Sequence, residues 1–121
     1  MDIRKININD KLAQIDDYWH PRLATELNGQ HVRLAKLKGE FVPHKHDEED
    51  EMFLVISGKL FIELEDKTLD LSPGEFVVIP RGVVHKPYSE EEVHLMLFEP
   101  ATTVNTGDTE SDLKQSKTER I

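Results

Sequence analysis

From His31 to Pro100 the chain is a succession of short β-type runs, each closed by turn residues. HVRLAKLKG alternates Val32 and Leu34 against Arg33, Ala35 and Leu37, then stops at Gly39. EMFLVISG is nearly continuously apolar, as a strand covered on both faces would be. KLFIELED and TLDLSPG keep their leucines in phase across an Asp66-Lys67 turn. FVVIP closes at Pro80-Arg81-Gly82, and VHLMLFEP is the last such run. Roughly six short strands at about ten-residue spacing predict an all-β sandwich or barrel.

The flanks differ in pattern. Leu12, Ile15 and Trp19 recur at helical spacing, Asn9 or Asp10 can cap the first turn, and Pro21 stops it. Residues 1–30 are therefore expected to form a helical segment packed on a barrel of residues 31–107. Residues 108–121 are polar, with Leu113 and Ile121 their only large apolar side chains, and are expected to be a loosely attached tail.

Charge and composition narrow the partners. Fifteen basic against 24 acidic residues give a net charge of −9, which argues against nucleic acid or an anionic membrane as the main partner. There is no cysteine, so disulfides and thiolate ligands are excluded, and a metal would be held by imidazole and carboxylate alone. MDIRKININDKLAQ contains no apolar stretch of signal-peptide length, and no run suits a membrane span. A cytoplasmic setting is expected.

The chemistry gathers in PHKHDEEDEMF. His44 and His46 are two residues apart, so on a strand they share a face, and Glu51 follows the acidic run Asp47 to Asp50. His85 lies just beyond Pro80 and Gly82. Three imidazoles and one carboxylate converge if the strands bearing them are neighbours. Asp47 to Asp50 read as an exposed loop. His20 and His31 read as surface or capping residues. His94, in phase with Met96 and Phe98, is a candidate for the barrel interior, either as a satisfied core residue or facing a substrate.

Gly39, His44, His46, Glu51 and Gly58 together resemble the first cupin motif, and Gly74, Pro80, Gly82 and His85 the second. Trp19-His20-Pro21, Leu27-Asn28-Gly29 and Val104-Asn105-Thr106-Gly107 are similar to segments of small single-domain bacterial cupins. The first motif has four residues between Gly39 and His44 where five are usual, and Ser89 stands where the second usually has Asn. Neither departure touches a ligand position. The resemblance implies a jelly-roll β-barrel holding a divalent metal on His44, His46, Glu51 and His85, and a homodimer packed sheet on sheet. Nitrogen and oxygen ligands suit iron, manganese, zinc or nickel alike. Cupins with this ligand set include dioxygenases, isomerases, decarboxylases and proteins with no known reaction. Two functions are expected from it: a metal-dependent enzyme acting on a small oxygen-rich molecule, such as a sugar derivative or organic acid, or a ligand-binding or sensor module. A structural partner protein with an empty barrel is the third. The residues single out no catalytic nucleophile or general base.

Overall fold

The computed structural model describes residues 2–121. A single short helix, α1 (Ile8–Leu12), precedes strands β1 (Arg22–Leu27), β2 (Gln30–Glu40), β3 (Glu51–Ser57), β4 (Leu60–Glu63), β5 (Thr68–Leu71), β6 (Phe76–Ile79) and β7 (Lys86–Pro100). The strands pair antiparallel in one sheet of order β1-β2-β7-β3-β6, with β4 joining β5 and β7. The β-rich architecture with one short N-terminal helix agrees with the sequence reading.

β7 organises the sheet. One edge pairs with β2 along almost its whole length. The other edge takes β4 at Lys86–Tyr88 and β3 from His94 to Phe98. Between those two stretches the register with β2 shifts, so that Leu37 faces Val93 but Gly39 faces Ser89. The surplus residues Glu90, Glu91 and Glu92 are exposed there. Such an irregularity bends a strand and increases its twist, and here it lets one sheet curl around an interior. That interior is filled by Leu37, Phe53, Val55, Leu60, Ile62, Val93, Leu95 and Leu97. The hairpin from β3 to β4 turns at Gly58, where φ is +84° and an added Cβ would lie 2.5 Å from the Glu92 carbonyl oxygen. Only glycine fits that turn.

The N-terminal segment departs from the expected helix. Asn7, not Asn9 or Asp10, caps α1, its side chain accepting from the Asp10 N–H at 2.9 Å. The helix ends at Leu12, and Trp19 adopts a left-handed φ of 66°. The stripe is consequently divided. Leu12 and Ile15 pack with Ala24 and Leu34 on the outside of the sheet, whereas Trp19 enters the interior and stacks on Phe41 with ring centroids 4.8 Å apart. Residues 22–27, expected within the helical segment, form β1. The overlooked signal is Asn28-Gly29, whose positive φ values of 52° and 80° make a two-residue hairpin loop.

The last strand also differs. It starts at Lys86, before the VHLMLFEP run, because Glu90 to Glu92 are the bend inside a longer strand. Its interior face is Val93, Leu95, Leu97 and Glu99, all buried, while His94 lies on the outer face and contacts Glu92 at 2.7 Å. With apolar residues on both faces of VHLMLF, alternation alone does not reveal which face is inside.

Residues 108–121 are docked. The Leu23 N–H donates to the Glu119 carbonyl at 2.8 Å, and the Ile121 N–H donates to the Leu23 carbonyl at 3.0 Å, extending the β1 edge with a parallel bridge. Leu113 packs on the interior cluster and Ile121 on the outer one. Main-chain pairing along an open edge thus supplies what the tail's sparse apolar area does not. Two half-buried aliphatic side chains and these bonds contribute on the order of 2–4 kcal/mol. Truncation after Gly107 is therefore expected to lower the melting temperature by roughly 10 °C. An unchanged melting curve by circular dichroism would show the docking to be energetically idle.

Candidate metal centre

His44 and His46 lie between β2 and β3, Glu51 opens β3, and His85 immediately precedes β7. Backbone pairing holds these pieces together. His44 and His85 exchange both main-chain hydrogen bonds, at 3.0 and 2.8 Å, as an isolated antiparallel bridge. The Gly82 N–H donates to the His46 carbonyl at 2.8 Å. On the other side the C-terminal segment braces the same residues. The Asp108 N–H donates to the Lys45 carbonyl at 3.1 Å, and the Lys45 N–H donates to Asp108 Oδ1 at 3.1 Å. Gly107 passes so close that an added Cβ would lie 2.2 Å from the Lys45 carbonyl oxygen.

All four side chains are buried, and one potential ligand atom from each lies within 4.8 Å of the others. His85 Nε2 is 3.2 Å and His46 Nε2 is 3.3 Å from Glu51 Oε1. The structure therefore brings together the four residues selected by the sequence, as a cluster that could hold a metal ion.

The outward-facing nitrogens explain the orientation. His44 Nδ1 sits 2.8 Å from the Val42 carbonyl, and His85 Nδ1 sits 3.0 Å from the Val83 carbonyl. A carbonyl only accepts, so each Nδ1 carries the proton and each Nε2 presents a lone pair to the cluster. This is the arrangement by which metal-ligating histidines are commonly oriented. His46 Nε2 is buried with no aligned hydrogen-bond partner, despite its closeness to Glu51. An orphaned buried nitrogen beside two aimed imidazoles and a carboxylate fits a divalent cation.

The electrostatics of the four residues follow from burial and from their mutual contacts. Burial, reinforced by the neighbouring His85, pushes the His44 imidazole down to about 4. Burial would raise Glu51, but the His46 and His85 imidazoles beside it outweigh that and hold the carboxyl at about 2. Burial likewise opposes a charge on His46, yet its contact with Glu51 prevails and raises its pKa. Glu51 is thus anionic and His44 neutral at neutral pH, the protonation states that metal ligation requires.

The rest of the acidic run is an exposed loop as expected, except at Glu49. Asp47, Glu48 and Asp50 are exposed, and Asp50 accepts from the Arg81 N–H at 2.9 Å. Glu49 is half-buried. Its Oε1 stands 4.0 Å from His46 Nδ1, and its Oε2 accepts from the Thr102 hydroxyl at 2.8 Å. His20 pairs with Asp17 at 2.9 Å near the surface, and His31 Nδ1 accepts from Arg33 Nε at 3.2 Å.

Two buried charged residues escaped the sequence reading. A cavity with an inner volume of about 30 Å³ reaches His44 and Glu51 between walls of Trp19, Phe41, Leu95 and Leu97, and Glu99 lines it too. Burial, then the negative charge of Glu51, push the Glu99 carboxyl well above the usual range, and Arg33 opposes them. The signal for both residues was phase. Glu99 continues the interior row Leu95–Leu97, and Arg33 the interior row Ala35–Leu37.

Comparison with known proteins places this geometry. The model of the cupin domain matches residues 30–100. A cupin-2 domain protein of Shewanella frigidimarina is 44% identical and superposes with a TM-score of 0.77, covering 78% of this chain and 93% of that one. A protein of Neisseria meningitidis is 30% identical with a TM-score of 0.74, covering 81% of this chain and all (100%) of that one. Uncharacterized protein YdbB of Bacillus subtilis is 41% identical over 66 residues, 54% of this chain. The match spans 58% of the length of the curated relatives. Strand order, the His44–His85 bridge and the buried histidine–glutamate cluster thus accompany a family match over more than half the chain, and the protein belongs to the cupin family.

Proposed function

We propose that this cupin binds a divalent metal through His44, His46, Glu51 and His85, and that it acts at that site on a small oxygen-rich molecule such as a sugar derivative or organic acid. The observation that carries this reading is the pair of locked imidazoles, His44 and His85, whose Nε2 atoms face Glu51. When bound, a divalent cation with open positions supplies a Lewis acid that polarises a carbonyl or carboxylate oxygen. The chain's own contribution is to orient the ligand nitrogens, keep Glu51 ionised and exclude bulk water with Trp19 and Phe41. Iron, manganese, zinc and nickel all suit these nitrogen and oxygen donors. The narrow inner volume, about 30 Å³, admits roughly two or three water-sized groups. That size also suits a non-catalytic sensor that captures one end of a ligand. Turnover of a metabolite library by the metal-loaded protein separates the two, since a sensor yields complexes and no product. A cytoplasmic setting fits the absence of cysteine.

The metal reading predicts linkage to stability. At a hundredfold excess of free metal over its dissociation constant the fold gains about 2.7 kcal/mol. A chelator is expected to lower the melting temperature by roughly 5 °C or more, and added divalent metal to restore it. His46→Ala should abolish this response, whereas Glu48→Gln, at an exposed position, should keep it. Because protons compete for His46, whose pKa lies above its ordinary value, affinity should fall as pH drops through and below about 6.5. Equal responses in parent and His46→Ala would place the metal elsewhere.

We further infer a homodimer. Across β6, β3 and β7 the outward-facing partners Val78, Met52 and Phe98 form one apolar row, with Phe76, Leu54 and Met96 as a second. Phe76 is 63% and Val78 51% exposed on an edge strand, a surface that soluble monomers rarely leave uncovered. Light scattering at micromolar concentration should return twice the 14.0 kDa chain mass, and Phe76→Glu should shift it toward monomer. A parent already monomeric there would refute the inference.

A further inference from the structure

Glu99 is 1% exposed, and no side-chain or main-chain donor reaches either of its carboxyl oxygens. The nearest cation, Arg33, has Nη1 3.6 Å from Glu99 Oε2 but commits its donors elsewhere. Nη1 donates to the Thr103 carbonyl at 2.9 Å, Nη2 to the Ala101 carbonyl at 3.1 Å and Nε to His31 Nδ1 at 3.2 Å. Arg33 therefore backs Glu99 with charge without occupying its lone pairs. Those lone pairs are left to the cavity that Glu99 shares with His44 and Glu51.

An unsatisfied buried polar group costs on the order of 1–3 kcal/mol, and more when charged. Packing alone does not call for one here, because a leucine would continue the interior row of Leu95 and Leu97. A buried acceptor of this kind calls for a donor that enters the cavity. The cavity is thus polar at the histidine–Glu51 cluster and at Glu99, which follows the Phe98–Met52 pair beside Glu51, and its apolar walls are Phe53, Leu95 and Leu97. A complementary ligand has oxygens for the metal cluster, a short carbon skeleton against the leucines, and an O–H directed to Glu99.

We propose that Glu99 is a specificity-determining residue of this cavity, binding the hydroxyl of a small hydroxy acid or hydroxy-carbonyl compound whose other oxygens face His44 and Glu51. The inference rests on the metal reading above and narrows its substrate class. A site built around a hydrogen bond to a hydroxyl discriminates against the analogue that lacks it, because the protein group is then left unpaired. Arg33 is the positioning partner that holds Glu99 in place.

The test uses the full chain reconstituted with nickel(II), with glycolate and acetate as probes that differ by one hydroxyl. Metal content is read by elemental analysis and affinity by calorimetry. In Glu99→Leu the preference for glycolate over acetate is expected to fall at least fivefold from its value in the parent, with metal content and acetate affinity kept. Glu99→Met, unbranched and of similar length, carries the same expectation should the leucine variant fail to fold. A preference that both folded variants retain overturns the role of Glu99 and leaves the metal reading standing. A parent that takes up no metal overturns both.

Discussion

The two main-chain hydrogen bonds between His44 and His85 are what the rest of this molecule is arranged to preserve. They join segments far apart in sequence, one leaving β2 and the other entering β7, and they set two imidazoles side by side, tilted by 53° with centroids 4.3 Å apart. A backbone bridge fixes position more firmly than side-chain contacts, since each strand's pleat dictates where the next side chain points. The carbonyls of Val42 and Val83, each two residues before its histidine, then select the tautomer. Orientation and protonation therefore come from the same local backbone, before any metal is considered.

That bridge is supported from two directions. The bend in β7 lets its first residues pair with β4 and its later ones with β3, and Glu51 at the start of β3 comes within 3.2 Å of His85. From the opposite side the C-terminal segment lies against Lys45, between the two motif histidines, through Asp108 and the glycine at 107. Asn105 connects this segment to the barrel mouth, its side-chain amide donating to the Leu113 carbonyl at 2.9 Å and to the Trp19 carbonyl at 3.3 Å. The termini thus form part of the wall around the site.

The site was legible in sequence because its signals are chemical and local: two histidines one residue apart, a glutamate in register, and glycine or proline at the turns. The β architecture followed from runs too short and too regularly interrupted for helices. What escaped depends on information that alternation does not contain. Apolar residues on both faces of β7 hide which face is interior, so His94 stands as a candidate for the interior and Glu99 goes unnoticed. The tail docks through main-chain hydrogen bonds, to which side-chain polarity gives no clue. β1 was hidden by a weakly patterned strand, although Asn28-Gly29 announced its hairpin. The proposed ligand set remains tied to the geometry of the four buried residues.

The most direct test is anomalous diffraction from crystals of the metal-loaded protein, collected on both sides of the metal's absorption edge. The account predicts one strong peak per chain, about 2.0–2.2 Å from Nε2 of His44, His46 and His85 and from a Glu51 oxygen, with the Nδ1 contacts to Val42 and Val83 intact. Metal-loaded crystals with no peak among these four residues, or with the peak at the exposed acids Asp47 to Asp50, would contradict it.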